Sequence, residues 1–111
     1  MSKVVHYVDV APAVPLGARA RSLYTYRLPD KVNDTTEDLL GRAVEISFGG
    51  RRVKGVIMAV REQAPPFPNA LVQRLADVRL TSYQVALGQW IARTMQGGLG
   101  FTLRLFLPPR I

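Results

Sequence analysis

The stretch that most constrains the fold of this chain is residues 42–61, RAVEISFGGRRVKGVIMAVR. Apolar and polar residues alternate up to Phe48, and a β-branched run resumes at Val56, which is the period-2 pattern of half-buried strands. Between the two runs, Gly49 and Gly50 can adopt the positive φ angles of a tight turn. The pattern predicts a β-hairpin that turns at this Gly-Gly pair. Three cations follow the turn directly: Arg51, Arg52 and Lys54.

The charge of the whole chain indicates an anionic partner. Fifteen Lys and Arg residues against eight Asp and Glu residues leave a net charge of +7. Such a balance favours nucleic acid or an anionic membrane surface, and a basic surface kept for solubility is the plain alternative. Most of the cations are Arg, whose planar guanidinium can contact phosphate with two parallel hydrogen bonds.

Composition removes several classes of function. The 111 residues suit one domain, and the absence of Cys excludes disulfides and cysteine zinc sites. His6 is the only histidine, and no pair of carboxylates lies on a firmly predicted element, so we expect no catalytic site, no metal site and no cofactor in this chain. No apolar run approaches the roughly 20 residues of a membrane span. His6 and Asp9 interrupt any signal-peptide core. We therefore expect a cytoplasmic protein without a membrane partner.

Other segments complete the predicted fold. Thr81 and Gln84 form a capping-box pattern before a helix over 82–95, whose apolar face includes Trp90 as an expected core residue. Residues 70–80 fit either a helix or a strand. Strand patterns recur at 3–10, 22–28 and 101–109. The sequence thus predicts a mainly β fold with α (α+β), a small β-barrel elaborated by one clear C-terminal helix and a second short one.

Two tyrosines of the predicted strand 22–28 are candidates for base stacking. Tyr24 and Tyr26 carry rings on which a base could stack, and burial in the core is the alternative for both. For the cations beside the Gly-Gly turn, the alternative is a solvated hairpin tip. Function by binding is favoured over catalysis.

Taken together, these segments resemble the N-terminal 3′-DNA-binding domain of PriA, the primosomal protein N′ family of replication-restart helicases. The resemblance covers nearly the whole chain in the family's order and spacing. Its motifs are VDVAPAVPL, LYTYRLPD, GRAVEISFGGRRVKGVIMAV, QWIA and FLPP. It implies a small β-barrel that holds the 3′-terminal nucleotide of a nascent leading strand at a fork.

The resemblance also implies a set of pocket residues. The family's aromatic residue falls on Tyr24 and its glycine on Gly49. Its Asp is replaced by Thr25, whose hydroxyl can still hydrogen-bond a base edge or a terminal hydroxyl. Its Lys falls near Val72, and Arg74 is the nearby cation that could replace it. The expected DNA-backbone contacts are Arg51, Arg52, Lys54 and Arg74.

The resulting expectation is a single 3′-DNA-binding domain over residues 1–111, forming the N-terminal part of a larger helicase. Its expected partners are single-stranded DNA and forked DNA with a 3′ end, together with other primosome proteins. ATP and zinc are implied only for the full-length family, because its motor and zinc-binding region do not occur in these residues. A protein-interaction barrel and an RNA-binding small barrel, each using a basic face, are the competing hypotheses.

Overall fold

The computed structural model describes residues 7–13, 23–29, 32, 35–62, 70–94 and 107. The strands are β1 (Tyr7–Pro12), β2 (Tyr24–Arg27), β3 (Arg42–Phe48), β4 (Arg51–Arg61) and β5 (Arg74–Arg79), and the helices are α1 (Thr36–Leu39) and α2 (Ser82–Thr94). The strands form one antiparallel sheet in the order β2-β1-β4-β3-β5. The prediction of a mainly β fold with helices is confirmed.

The hairpin predicted from the Gly-Gly pair is present as β3 and β4. Phe48 and Arg51 form its last cross-strand pair, so the turn consists of two residues. Gly49 has a φ of 60° and Gly50 a φ of 77°. Positive φ at both central positions is the geometry of a type I′ turn, which matches the right-handed twist of the flanking strands.

The inner face of the curved sheet holds the main core. Val8 and Val10 of β1 alternate with outward residues and pack with Ile46 of β3 and Ile57 of β4, all of them fully buried. Gly55 permits the close approach of β1 to β4 at this point, because a Cβ there would lie 2.5 Å from Cγ1 of Val10. Burial of these aliphatic side chains supplies about 1.5–3 kcal/mol each relative to exposure.

The barrel prediction is wrong, because the sheet does not close. The edge strands β2 and β5 do not pair with each other in the described residues, and the two edges meet through a single parallel bridge between Arg27 and Leu71. Arg27 N donates to Ala70 O at 2.9 Å and Val72 N donates to Arg27 O at 2.8 Å. β2 has only four residues, and Pro29 lacks the N–H that would extend the ladder.

Helix α2 begins as predicted but packs through a different face. Gln84 N donates to Thr81 Oγ1 at 3.1 Å and Thr81 N donates to Gln84 Oε1 at 2.9 Å, which confirms the capping box. Trp90, however, is 56% exposed, so its assignment to the core is wrong. The helix instead turns Val85 and Gly88 inward, and Val85 packs on a second cluster over the outer face of the sheet. That cluster comprises Ala11, Ala43, Val56, Ala76, Leu80 and Leu107.

The structure settles one open prediction, and several others concern residues that it does not describe. Within residues 70–80, the strand β5 covers Arg74–Arg79, and the helix alternative is wrong. The predicted strand 101–109 lies outside the described residues except for Leu107, as do His6 and the start of the strand predicted from residue 3. In the described part of the chain, no helix combines the length and apolar composition needed to cross a membrane.

Candidate nucleic-acid interface

An aromatic pair lies beside the hairpin turn. The ring centroids of Tyr24 and Phe48 are 4.9 Å apart with an interplanar angle of 69°, an edge-to-face arrangement. Tyr24 begins β2 and Phe48 ends β3, two strands that are not neighbours in the sheet, so the curvature of the sheet brings the rings together. Both rings are partly buried against the inner core. Phe48 was not among the predicted site residues, although it directly precedes Gly49.

Tyr26 holds the two strands of this aromatic pair together. Tyr26 is only 5% exposed, and its hydroxyl donates to the carbonyl oxygen of Ser47 at 2.8 Å. Burial, with a smaller contribution from the neighbouring Tyr24, raises the pKa of the Tyr26 phenol above its usual value of 10. Tyr26 is therefore a core residue that links β2 to β3, whereas Tyr24 is only partly buried.

The Gly-Gly turn leaves the backbone next to the aromatic pair open. Gly49 and Gly50 are both exposed, and no described heavy atom lies within 4 Å of the position that a Cβ would take on either residue. A ligand can therefore approach the peptide groups of the turn closely. Of the predicted pocket residues, Tyr24 and Gly49 are thus brought together through Phe48.

Strand alternation divides the three hairpin cations between two faces. Arg51 is the cross-strand partner of Phe48 and lies on the face that carries the aromatic pair. Its side chain is exposed and makes no ion pair or hydrogen bond with the described residues. Arg52 and Lys54 follow the opposite alternation and lie on the outer face. The three cations, which were predicted as one group, therefore do not lie on one surface.

The outer-face cations surround a carboxylate. Glu45 is the cross-strand partner of Lys54 on one side and of Arg74 on the other. Nε of Arg52 lies 3.2 Å from Oε1 of Glu45, and Nε of Arg74 donates to Oε2. Arg52 Nε also donates to Oε1 of Gln73 at 2.6 Å. The structure places Arg52, Lys54 and Arg74 around Glu45, which neutralises part of their charge.

Thr25 faces away from the aromatic pair and contacts a buried acid. Its Oγ1 donates to Oδ1 of Asp9 at 2.6 Å, and Nε of Arg61 donates to Oδ2 of the same carboxylate at 2.9 Å. Asp9 is the cross-strand partner of Thr25 and is only 6% exposed. A carboxylate therefore lies beside the hydroxyl, although it comes from β1. Asp9 was not predicted as a site residue, because only the pairing of β1 with β2 places it there.

The position expected to hold the family's Lys lies in the core. Val72 is 1% exposed and packs in the inner cluster, so its side chain does not face a ligand. Arg74, the expected replacement, lies two residues further on and faces Glu45 on the outer side. In the described residues, no group of three or more His, Cys, Asp or Glu could hold a metal ion.

A cavity of about 550 Å³ lies between α1 and the start of α2. Its lining includes Glu37, Met58, Arg79 and Gln89 but none of the predicted site residues. The aromatic pair, the turn and Arg51 therefore form an open rim and not the wall of this cavity. A rim suits a chain-like ligand that remains partly in solvent.

Comparison with known protein families identifies a match over most of the chain. A family model described as the 3′DNA-binding domain (3′BD) matches residues 9–108. The matched range includes both strands of the hairpin, the aromatic pair and every predicted site residue. A search of curated proteins returned no match.

Proposed function

Because the chain belongs to the family of PriA 3′DNA-binding domains, we propose that it captures the 3′ end of a DNA single strand at a branched replication fork. In this proposal the domain serves replication restart and primosome assembly in the cytoplasm. It does so as the N-terminal part of a longer ATP-dependent helicase. The domain binds without catalysis and without a cofactor of its own.

The observation that supports this function best is the rim formed by Tyr24, Phe48, Gly49 and Arg51. Tyr24 and Phe48 are only partly buried, so the ring surface left open to solvent can stack on a base, and such stacking contributes about 1–3 kcal/mol per base. The open turn lets the sugar approach the backbone, and Arg51 can bind a phosphate with two parallel hydrogen bonds. An aromatic ring, an open backbone and an arginine with no ionic partner among the described residues therefore lie together, where one terminal nucleotide would fit.

Thr25 and Asp9 supply a reason for preferring a 3′-hydroxyl. Because Thr25 donates its hydroxyl proton to Asp9, the hydroxyl could meet a ligand only as an acceptor, which suits a terminal hydroxyl donor. A terminal phosphate would instead bring negative charge towards the Asp9 carboxylate. β2 is an edge strand, so a nucleotide lying along it can contact Tyr24 on one face and Thr25 on the other.

Fluorescence anisotropy with two otherwise identical oligonucleotides tests end recognition. One ends in a 3′-hydroxyl and the other in a 3′-phosphate, and we expect the hydroxyl end to bind more tightly. A matched pair that differs only at the 5′ end serves as the control and should bind equally. Equal affinities for the two 3′ ends would contradict end recognition and leave general strand binding.

Two glycine variants test the turn. Gly49→Ala and Gly50→Ala both place a Cβ at positive φ, which costs about 1–2 kcal/mol in either case, and both point it into open space. We expect similar losses of stability in urea denaturation. Only Gly49→Ala, next to Phe48, should reduce the preference for the 3′-hydroxyl. If the two variants bind alike, Gly49 does not belong to the site.

A further inference from the structure

Another aromatic residue, apart from those at the rim, lies between two arginines on the outer face of the sheet. Tyr7 of β1 is the cross-strand partner of Arg27 on β2 and of Arg61 on β4. Residues directly opposite each other in an antiparallel ladder share a face, so the three side chains lie side by side. None of the three was predicted as a site residue, and none belongs to the rim.

The same row continues across the bridge that joins the sheet edges. Arg27 is paired with Leu71, which is 42% exposed. Arg61, Tyr7, Arg27 and Leu71 therefore form one line across four adjacent backbone segments, and we name it the outer row. With about 4.8 Å between neighbouring strands, the row spans roughly 14 Å. Its order is cation, aromatic, cation, apolar.

The two arginines of the outer row differ in how they are held. Arg27 is exposed, and its side chain forms no ion pair or hydrogen bond with the described residues. Arg61 is held at Nε by Asp9, yet 55% of its side chain remains exposed. The buried carboxylate thereby orients the guanidinium beside Tyr7. This orientation lowers the conformational entropy that binding a phosphate would cost.

We propose that the outer row binds the nucleotides that precede the 3′ terminus of single-stranded DNA. Arg27 and Arg61 bind phosphates, and Tyr7 stacks on a base between them. Cations that alternate with an aromatic ring on a sheet face provide both contacts that single strands use. The chain's net charge of +7 agrees with this occupant.

The outer row also lies on the path of a strand bound at the rim. Along β2, Arg27 follows Thr25 on the same face, about 6.6 Å further on, which is close to the length of one nucleotide. A strand whose terminus contacts Thr25 would therefore reach the outer row within its next few nucleotides. In this respect the inference rests on the proposed function, since the 3′ end sets the register of the strand.

Photocrosslinking tests the position of the strand. Oligothymidines that carry 5-iododeoxyuridine at successive positions from the 3′ end are irradiated with the full chain, and crosslinked peptides are mapped. We expect crosslinks to Tyr7 from positions near the second to fourth nucleotide. Crosslinks confined to Tyr24 and Phe48 at every position would overturn the proposal.

Variants of the outer row provide an independent measurement. Tyr7→Leu keeps an apolar side chain and should weaken binding of a long oligonucleotide about tenfold. Arg27→Gln should lower the slope of log affinity against log salt by about 0.7. Arg79→Gln is the matched control, because Arg79 lies at the far end of β5 beside Asp38 and should leave the slope unchanged. Unchanged binding in Tyr7→Leu and Arg27→Gln would overturn the proposal.

The outcomes separate this proposal from the one on which it rests. If both 3′ ends bind equally while the Tyr7 crosslink and the variant effects persist, end recognition fails and the outer row stands. If the 3′-hydroxyl preference persists without them, the outer row alone fails. Binding of poly-glutamate that Arg27→Gln weakens, with no crosslink to DNA, would assign the row to an acidic protein and overturn the proposal.

Discussion

The cations on the two faces of the β3–β4 hairpin differ in whether they form ion pairs with described residues. On the rim side, Arg51 stands next to an aromatic pair and has no ionic partner among the described residues. On the outer side, Arg52 and Arg74 both contact Glu45. The sequence places Arg51 and Arg52 next to each other, and alternation alone separates their roles. Cation density along a strand is therefore a poor guide to where an anion binds.

The ion pairs that Arg52 and Arg74 make with Glu45 cost little to break. The side chains of Arg52 and Arg74 are 62% and 44% exposed, and exposed pairs contribute only about 0–1 kcal/mol. A phosphate can therefore compete with Glu45 at small cost. We infer that the cations around Glu45, namely Arg52, Lys54 and Arg74, attract the strand, whereas the rim holds its end.

The largest effect should come from removing the rim's stacking ring. Tyr24→Leu keeps an apolar side chain but loses the aromatic surface, so it should weaken binding by about tenfold or more. Tyr83→Leu is the matched control, because Tyr83 is 74% exposed on α2, away from the rim. Anisotropy titrations measure both variants. Equal losses would mean that the rim does not differ from any other exposed tyrosine.

The next effect concerns the bond that supports the rim. Tyr26→Phe removes the donor to Ser47 O, so it should lower the free energy of unfolding by about 1 kcal/mol. The variant should also weaken DNA binding, because Tyr24 is then held less firmly beside Phe48. The cations around Glu45 should keep their arrangement. Urea denaturation and the salt dependence of DNA binding measure the two effects. Full retention of stability would show that this hydrogen bond does not hold β2 to β3.

The same residue predicts a pH dependence. Burial raises the pKa of folded Tyr26, so above about pH 10 the unfolded state loses the proton first. The stabilisation is complete below pH 10 and is lost as the pH rises towards the raised pKa. Tyr26→Phe should flatten this alkaline decline, whereas Tyr83→Phe should not. A decline that is identical in both variants would assign it to other groups.

The smallest effect separates the two faces directly. Arg51→Gln should reduce the slope of log affinity against log salt by about 0.7, the value for one phosphate contact to a single strand. Arg52→Gln should reduce it less, because Glu45 already neutralises part of that charge. Glu45→Gln should raise DNA affinity a few-fold. If Arg52→Gln matches Arg51→Gln, pairing with Glu45 does not distinguish the faces.

Features with a local mechanism were predictable from the sequence. The Gly49-Gly50 turn requires positive φ, and two glycines between two alternating strand patterns predict such a turn. Thr81 and Gln84, three positions apart, predict the start of α2 in the same way. Both depend on residues that are close in sequence. The predictions of the hairpin and the capping box are therefore confirmed.

Features that depend on strand pairing were not predictable. Tyr24 meets Phe48, and Asp9 meets Thr25, only because β1, β2 and β3 take particular places in the sheet. The wrong placement of Trp90 has a similar origin, since helical spacing finds an apolar stripe but does not say which side of α2 packs inward. The open barrel has a similar origin, because sequence patterns do not show that, among the described residues, β2 has only four residues and does not pair with β5.

The bridge at Arg27 has a consequence for how the protein behaves in concentrated solution. An open edge strand offers its unpaired N–H and C=O groups to another chain, which favours aggregation. Here the N–H and C=O of Arg27 are already occupied by Ala70 and Val72, and Pro29 has no N–H to offer. Two backbone hydrogen bonds therefore protect one end of the sheet edge from pairing with a second copy, while the outward Arg27 side chain adds like-charge repulsion.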